Sequence, residues 1–193
     1  MPEAVEEKLL RQVTAVLEEL DIPYGVTGGF AVVVWGRPRF TADIDIVVAL
    51  KPEKVKKLAQ ELLKTDAHGY IDEDTAQEAI RKKGSFNFIH PTSGLKIDFM
   101  VIGSEPYDLE QIKRRVAKDF AGQTIFFISP EDLILNKLLW YKKGESTRQL
   151  EDIESIIKIQ KKLDWKYVEK WAKIQSTFDT LEQLNWKGGG DDG

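Results

Sequence analysis

The chain has 193 residues, 42% of them hydrophobic, with no cysteine and a formal net charge of −4. That length and apolar content suit one globular core without covalent staples, and the lack of cysteine excludes disulfides, thiolate zinc sites and cysteine nucleophiles. The acidic balance argues against nucleic-acid binding by the whole surface, and no apolar run approaches the ~18 residues of a membrane span, so a cytoplasmic protein with no membrane partner is expected.

Leu9, Val13, Val16, Leu17 and Leu20 recur at helical spacing and predict an amphipathic helix over 4–20, stopped near Asp21-Ile22-Pro23. Tyr24 to Val26 reads as a short strand, Thr27-Gly28-Gly29 as a break, and Phe30 to Trp35 as a short apolar helix. The glycine pair thus falls at a strand-to-helix junction. The loop Gly36-Arg37-Pro38-Arg39 leads into the strand that begins at Asp43.

Helical patterns follow at 53–63 and 73–82, then a hairpin made of SFNFI and LKIDFMVI around His90-Pro91-Thr92-Ser93-Gly94. A helix is expected around 108–117 and a strand at 123–128. Beyond that the chain reads as helical. Ser129-Pro130 with Glu131 and Asp132 marks one helix start, Ser146 to Gln149 has capping-box spacing, and Asp164 is placed to cap a third helix carrying Trp165, Val168 and Trp171. The expected organisation is an α/β core at 1–128, a small C-terminal helical region at 129–186 packed on it, and a disordered tail at 187–193.

The strand beginning Asp43-Ile44-Asp45 poses an electrostatic question. Side chains alternate along a strand, so two aspartates one residue apart share a face at about 7 Å and repel unless a positive charge intervenes. A later apolar strand, Leu95 to Met100, carries a third aspartate, Asp98. If the two strands are neighbours, three carboxylates face one side of the sheet, a donor set for a hard divalent cation. The expected positive partner is therefore a metal, Mg²⁺ or alternatively Mn²⁺.

Thr27-Gly28-Gly29, Thr41-Ala42-Asp43-Ile44-Asp45 and Ile97-Asp98-Phe99 together resemble the three-part signature of the polymerase-beta-like nucleotidyltransferase superfamily. Longer stretches, including Gly36 to Thr41, SFNFIHPTSGLKIDFMV and SPEDLILNKLLWYKKGESTRQLEDI, resemble small prokaryotic nucleotidyltransferase-like proteins related to abortive-infection toxins. The resemblance implies a nucleotidyltransferase fold, a mixed sheet flanked by helices, and Mg²⁺-dependent transfer of an NMP from an NTP to a hydroxyl acceptor with release of pyrophosphate. An RNA end such as a tRNA, a protein or a small molecule would serve equally as acceptor. It further implies that Asp43, Asp45 and Asp98 are the catalytic and metal-holding residues, and that Thr27, Gly28, Gly29, Arg39, Thr41 and Lys137 meet the nucleotide. Against the phosphate role of Lys137 stands a plain solvated helix lysine. Arg148 and Asp152 match the relatives' Arg-Asp-x-x-Asp pattern except that Gln149 replaces its second residue, and Asp152 is expected to be a structural cap or a salt-bridge residue rather than catalytic. The alternatives are a catalytically silent nucleotide sensor or toxin–antitoxin partner, with an operon-encoded protein as its mate, and a metal-dependent phosphohydrolase. His68 and His90 have no second histidine at ligand spacing, and neither is expected to be catalytic.

Overall fold

The computed structural model describes residues 4–41, 43–120, 122–144 and 146–184; the expected tail at 187–193 lies outside them. Two compact units emerge, one of Met1–Phe30 with Phe40–Ile128, the other of Ala31–Arg39 with Ser129–Gly193. The first holds a seven-stranded mixed sheet with helices packed on it, as the alternation of apolar strand and helical patterns predicts.

Helix α1 (Val5–Glu19) buries Leu9, Leu10, Val13 and Leu17. Its end is fixed from elsewhere in the chain, because Lys54 Nζ donates to the carbonyls of Leu20 at 2.6 Å and Asp21 at 2.8 Å, satisfying acceptors a helix C-terminus leaves open. Strand β1 (Tyr24–Thr27) follows and runs directly into α2 (Gly28–Trp35). Next come β2 (Asp43–Val48), α3 (Val55–Leu63), β3 (Tyr70–Ile71), α4 (Glu73–Lys82), β4 (Ser85–His90), β5 (Leu95–Val101), α5 (Pro106–Lys113), β6 (Val116–Phe120) and β7 (Gln123–Phe127). The strand order is β3-β4-β5-β2-β1-β7-β6.

Strands β2 and β5 are central and parallel, whereas β1 runs antiparallel to β2 and β4 antiparallel to β5. One face of these four strands carries Tyr24, Val26, Ile44, Ile46, Val48, Phe86, Phe88, Ile97 and Phe99, all buried. This is the core face. The other face carries the polar residues, and β4 alternates between the two throughout.

Two expectations change. The predicted helix at 108–117 ends at Lys113, and Val116–Phe120 is a strand paired antiparallel with β7. Its half-buried residues Val116, Lys118 and Phe120 alternate with exposed Ala117 and Asp119, and Gly122 at φ 80° permits the reversal that docks it on β7. The second change is the two-residue edge strand β3, too short for any pattern to announce it.

The second unit packs α6 (Pro130–Gly144), α7 (Thr147–Ile159), α8 (Trp165–Ile174) and α9 (Phe178–Gln183), the last unanticipated. Its core includes Leu133, Ile134, Leu138, Ile153, Ile156, Val168, Trp171 and Leu181. Two of the three forecast caps form through side chains: Ser129 Oγ accepts from Asp132 N at 3.1 Å, and Asp164 Oδ1 from Tyr167 N at 3.1 Å. Ser146 stands at the N-cap of α7 without a side-chain capping bond.

Candidate active site

In a parallel pair, residues in register point to the same side. Asp45 is opposite Asp98 and Asp43 opposite Lys96 across β2 and β5. Extending the row outward, Thr27 of β1 stands beside Asp45, and Asn87 of β4 beside Asp98. The result is one polar line across four strands, Thr27-Asp45-Asp98-Asn87, with Asp43 and Lys96 in the next row. Adjacent strands are about 4.8 Å apart, so Asp45 and Asp98 are immediate neighbours.

The positive charge that three aspartates require is present, and it belongs to the protein. Lys96 Nζ lies 2.7 Å from Asp98 Oδ2. Its hydrogen bond to Asp98, followed by the charges of Asp98, Asp43 and Asp45, raises the lysine pKa against the opposing effect of partial burial. Among the described residues, no three His, Cys, Asp or Glu side chains stand close enough together to hold a metal ion. The three aspartates therefore share a face, as the sequence implies, while the cation they are shown with is an ammonium. Lys96 was overlooked as a charge partner, although its two-residue spacing from Asp98 on an alternating strand was enough to place it there.

Gly28 and Gly29 are required by what they touch. Gly28 has φ 61°, and a Cβ there would fall 1.9 Å from Asp45 Oδ2. At Gly29 a Cβ would fall 2.2 Å from Thr41 Oγ1. The backbone at the start of α2 is thus pressed against the Asp45 carboxylate and against Thr41, whose hydroxyl donates to the Asp43 carbonyl at 3.2 Å. Thr27 Oγ1, buried beside Asp45, has no hydrogen-bond partner among the described residues. Hard oxygens on one face, a glycine backbone lying against one of them and an unpaired hydroxyl alongside fit the chemistry of a divalent cation with a phosphate ligand.

The second unit carries its own charge cluster. Asp152 accepts from Arg39 Nε and Nη2 at 2.9 Å each, a bidentate pair, and Lys137 Nζ lies 2.7 Å from Asp152 Oδ2. Lys137 is 1% exposed, so the picture of a solvated helix lysine fails. Its ammonium also donates to Gln149 Oε1 at 3.0 Å and lies 5.4 Å from the centre of the Trp140 ring. Gln149, the departure from the relatives' pattern, therefore supplies a neutral acceptor to the buried lysine. Burial pushes the Asp152 carboxyl up, but the hydrogen bonds and charges of Arg39 and Lys137 outweigh it and hold the group below the usual carboxylate range. Asp152 is a salt-bridge residue, as expected.

Arg37 lines an open cavity of about 770 Å³ with Glu151, Glu154, Ser155, Lys158 and Ile159. His90 is a buried histidine with Nδ1 2.8 Å from Ser93 Oγ. No helix among the described residues is long and apolar enough to cross a membrane.

A sequence profile of the family described as nucleotidyl transferase AbiEii toxin, type IV TA system, matches residues 9–164. No curated protein matches the chain in sequence. Among solved structures, the antibiotic-resistance factor ANT(2'')-Ia is similar with a TM-score of 0.61 at 16% identity, over 93% of this chain and 96% of that one. The lincosamide antibiotic adenylyltransferase LnuA, solved with lincomycin bound, gives 0.55 at 20% identity, over 82% and 100%. An antigenic nucleotidyltransferase-like protein from Paracoccidioides brasiliensis gives 0.54 at 17% identity, over 95% and 94%. At these identities the likeness concerns the fold.

Proposed function

The chain belongs to the AbiEii nucleotidyl transferase toxin family, and from that premise we propose that it is a Mg²⁺-dependent enzyme moving an NMP from an NTP to a hydroxyl acceptor. The observation that carries the reading is the register of Asp45 with Asp98, with the Gly28 backbone pressed on Asp45. It supports a triphosphate at the glycine turn and an acceptor hydroxyl at Asp98.

In this reading the backbone N–H groups of Gly28 and Gly29, at a helix start, hold phosphate oxygens, with Thr27 and Thr41 beside them. Asp43 and Asp45 would hold Mg²⁺, which when bound neutralises phosphate charge and aligns the triphosphate. Asp98 accepts the proton of the acceptor hydroxyl as its oxygen bonds to the α-phosphorus. The bond from that phosphorus to the oxygen bridging to the β-phosphate breaks in line, and pyrophosphate leaves. Positioning and charge neutralisation supply most of the acceleration. The family resemblance further supports a nucleotide-binding role for Arg39 and Lys137, whose common partner in the structure is Asp152.

Thermal unfolding with Mg²⁺ and each of the four NTPs, on the wild type and on the Asp43→Ala, Asp45→Ala variant, tests the proposal. A ligand at 100 times its Kd stabilises by about 2.7 kcal/mol, which for a chain of this size raises the midpoint by roughly 5–11 °C. The expected result is a metal-dependent rise that the variant loses, accompanied by pyrophosphate release. A midpoint that no nucleotide moves at millimolar concentration would sink the reading.

The Lys96–Asp98 ion pair favours a second reading, a silent nucleotide sensor acting with a protein partner of a toxin–antitoxin pair. Nucleotide binding without pyrophosphate release in cell extract would select it.

A further inference from the structure

We propose that Lys96 is the resident counter-cation of the aspartate face: its ammonium takes the place of the divalent cation until one binds, and its withdrawal from Asp98 sets the concentration at which the cation enters. The proposal rests on the preceding reading for the location of the metal and for nothing else.

Three observations carry it. Lys96 is two residues before Asp98 on β5 and directly opposite Asp43 on β2, so the register of the sheet puts it on the same face as all three aspartates. The contact with Asp98 Oδ2 is 2.7 Å, a full ion pair. The lysine side chain is 45% exposed, against 28% for Asp98, so its flexible stem can swing into solvent while the aspartate stays.

The fold itself does not require this lysine. Its position is on the polar, partly exposed face of β5, where a neutral residue would suit the strand as well; the core face holds Ile97 and Phe99. Its service is electrostatic. Without it, three like charges face one another across two central strands with no protein cation between them. With it, the face is tolerable before any metal arrives, and the metal must then displace a charge already in place. The same ammonium, once released, is left on a stem long enough to reach an oxygen of whatever anion the metal brings.

The test uses the full chain and Mn²⁺ alone, without nucleotide. Binding is measured by calorimetry and by the loss of free-ion Mn²⁺ signal in magnetic resonance, on the wild type, Lys96→Met and Lys96→Arg. Thermal midpoints in EDTA are recorded for the same three and for Lys96→Met combined with Asp43→Asn. Lys96→Met is expected to bind Mn²⁺ about tenfold more tightly than the wild type, equivalent to about 1.4 kcal/mol. It should also melt lower in EDTA, with Lys96→Arg close to the wild type in both respects. Removing the Asp43 charge should restore part of the lost midpoint, which a merely structural lysine would not predict. Equal or weaker Mn²⁺ binding by Lys96→Met overturns the proposal while leaving the nucleotide reading intact. Failure of all three proteins to bind Mn²⁺, with nucleotide-induced stabilisation also absent, overturns both.

Discussion

Single residues set the geometry of the aspartate face, and Gly28 is the most constrained of them. A side chain there meets two obstacles at once, a left-handed backbone with φ 61° and the Asp45 carboxylate 1.9 Å from where a Cβ would sit. The backbone strain alone is about 1–2 kcal/mol for an L-residue, and displacing Asp45 adds to it. Gly28→Ala is therefore expected to lower the midpoint by at least about 4 °C and to abolish the nucleotide-induced rise, both read in one thermal series. Asp152 is the opposite kind of residue, holding its neighbours by charge rather than shape. Its removal strands a buried lysine, so Asp152→Ala should cost about 3 kcal/mol in urea unfolding, and Asp152→Asn less because an amide oxygen still accepts. The sign of its pH dependence follows from a depressed carboxyl. Its stabilisation is complete above the unfolded value near 3.9 and is lost as pH falls through the lower folded value, so acid should narrow the gap between wild type and Asp152→Ala. Sequence made the identity of Asp43, Asp45, Asp98 and the glycines legible because those residue types are costly where they stand without a purpose. It did not reveal which cation answers them, because that depends on strand pairing.

Elements were read well where periodicity and punctuation agree. The 4–20 pattern became α1, the Asp43 strand became β2, and the hairpin of β4 and β5 formed as its alternation and Pro-Gly turn predict. Strand β6 escaped because lysine and aspartate interrupt it and a turn two residues later joins it to β7; α9, six residues long, carries too few turns to establish a period. Caps offer a test of how far sequence signals translate into bonds. Asp164 donates its own N–H to the buried Glu131 Oε1 at 2.9 Å while its carboxylate caps α8, so Asp164→Ala should lower stability by about 1 kcal/mol. Ser146→Ala, at a cap position with no side-chain bond, should stay within about 0.5 kcal/mol of wild type. Parallel denaturant titrations of the two variants decide whether the observed bond or the sequence signal governs.

At the scale of the molecule, the α/β class was legible in the alternation of strand and helix patterns and the mixed sheet in the family resemblance, whereas the pairing of the two aspartate strands stood only as a condition, which the parallel register of β2 and β5 meets. That pairing joins Asp45 to Asp98, 53 positions apart in the chain. Every element from α3 to β4 lies in the intervening segment. The aspartate face is consequently a nonlocal object: no fragment or nascent chain ending before β5 can possess it. The charge row is thus a property of the paired sheet and of neither strand alone, and anything that unpairs β2 from β5 dissolves it without altering a single aspartate.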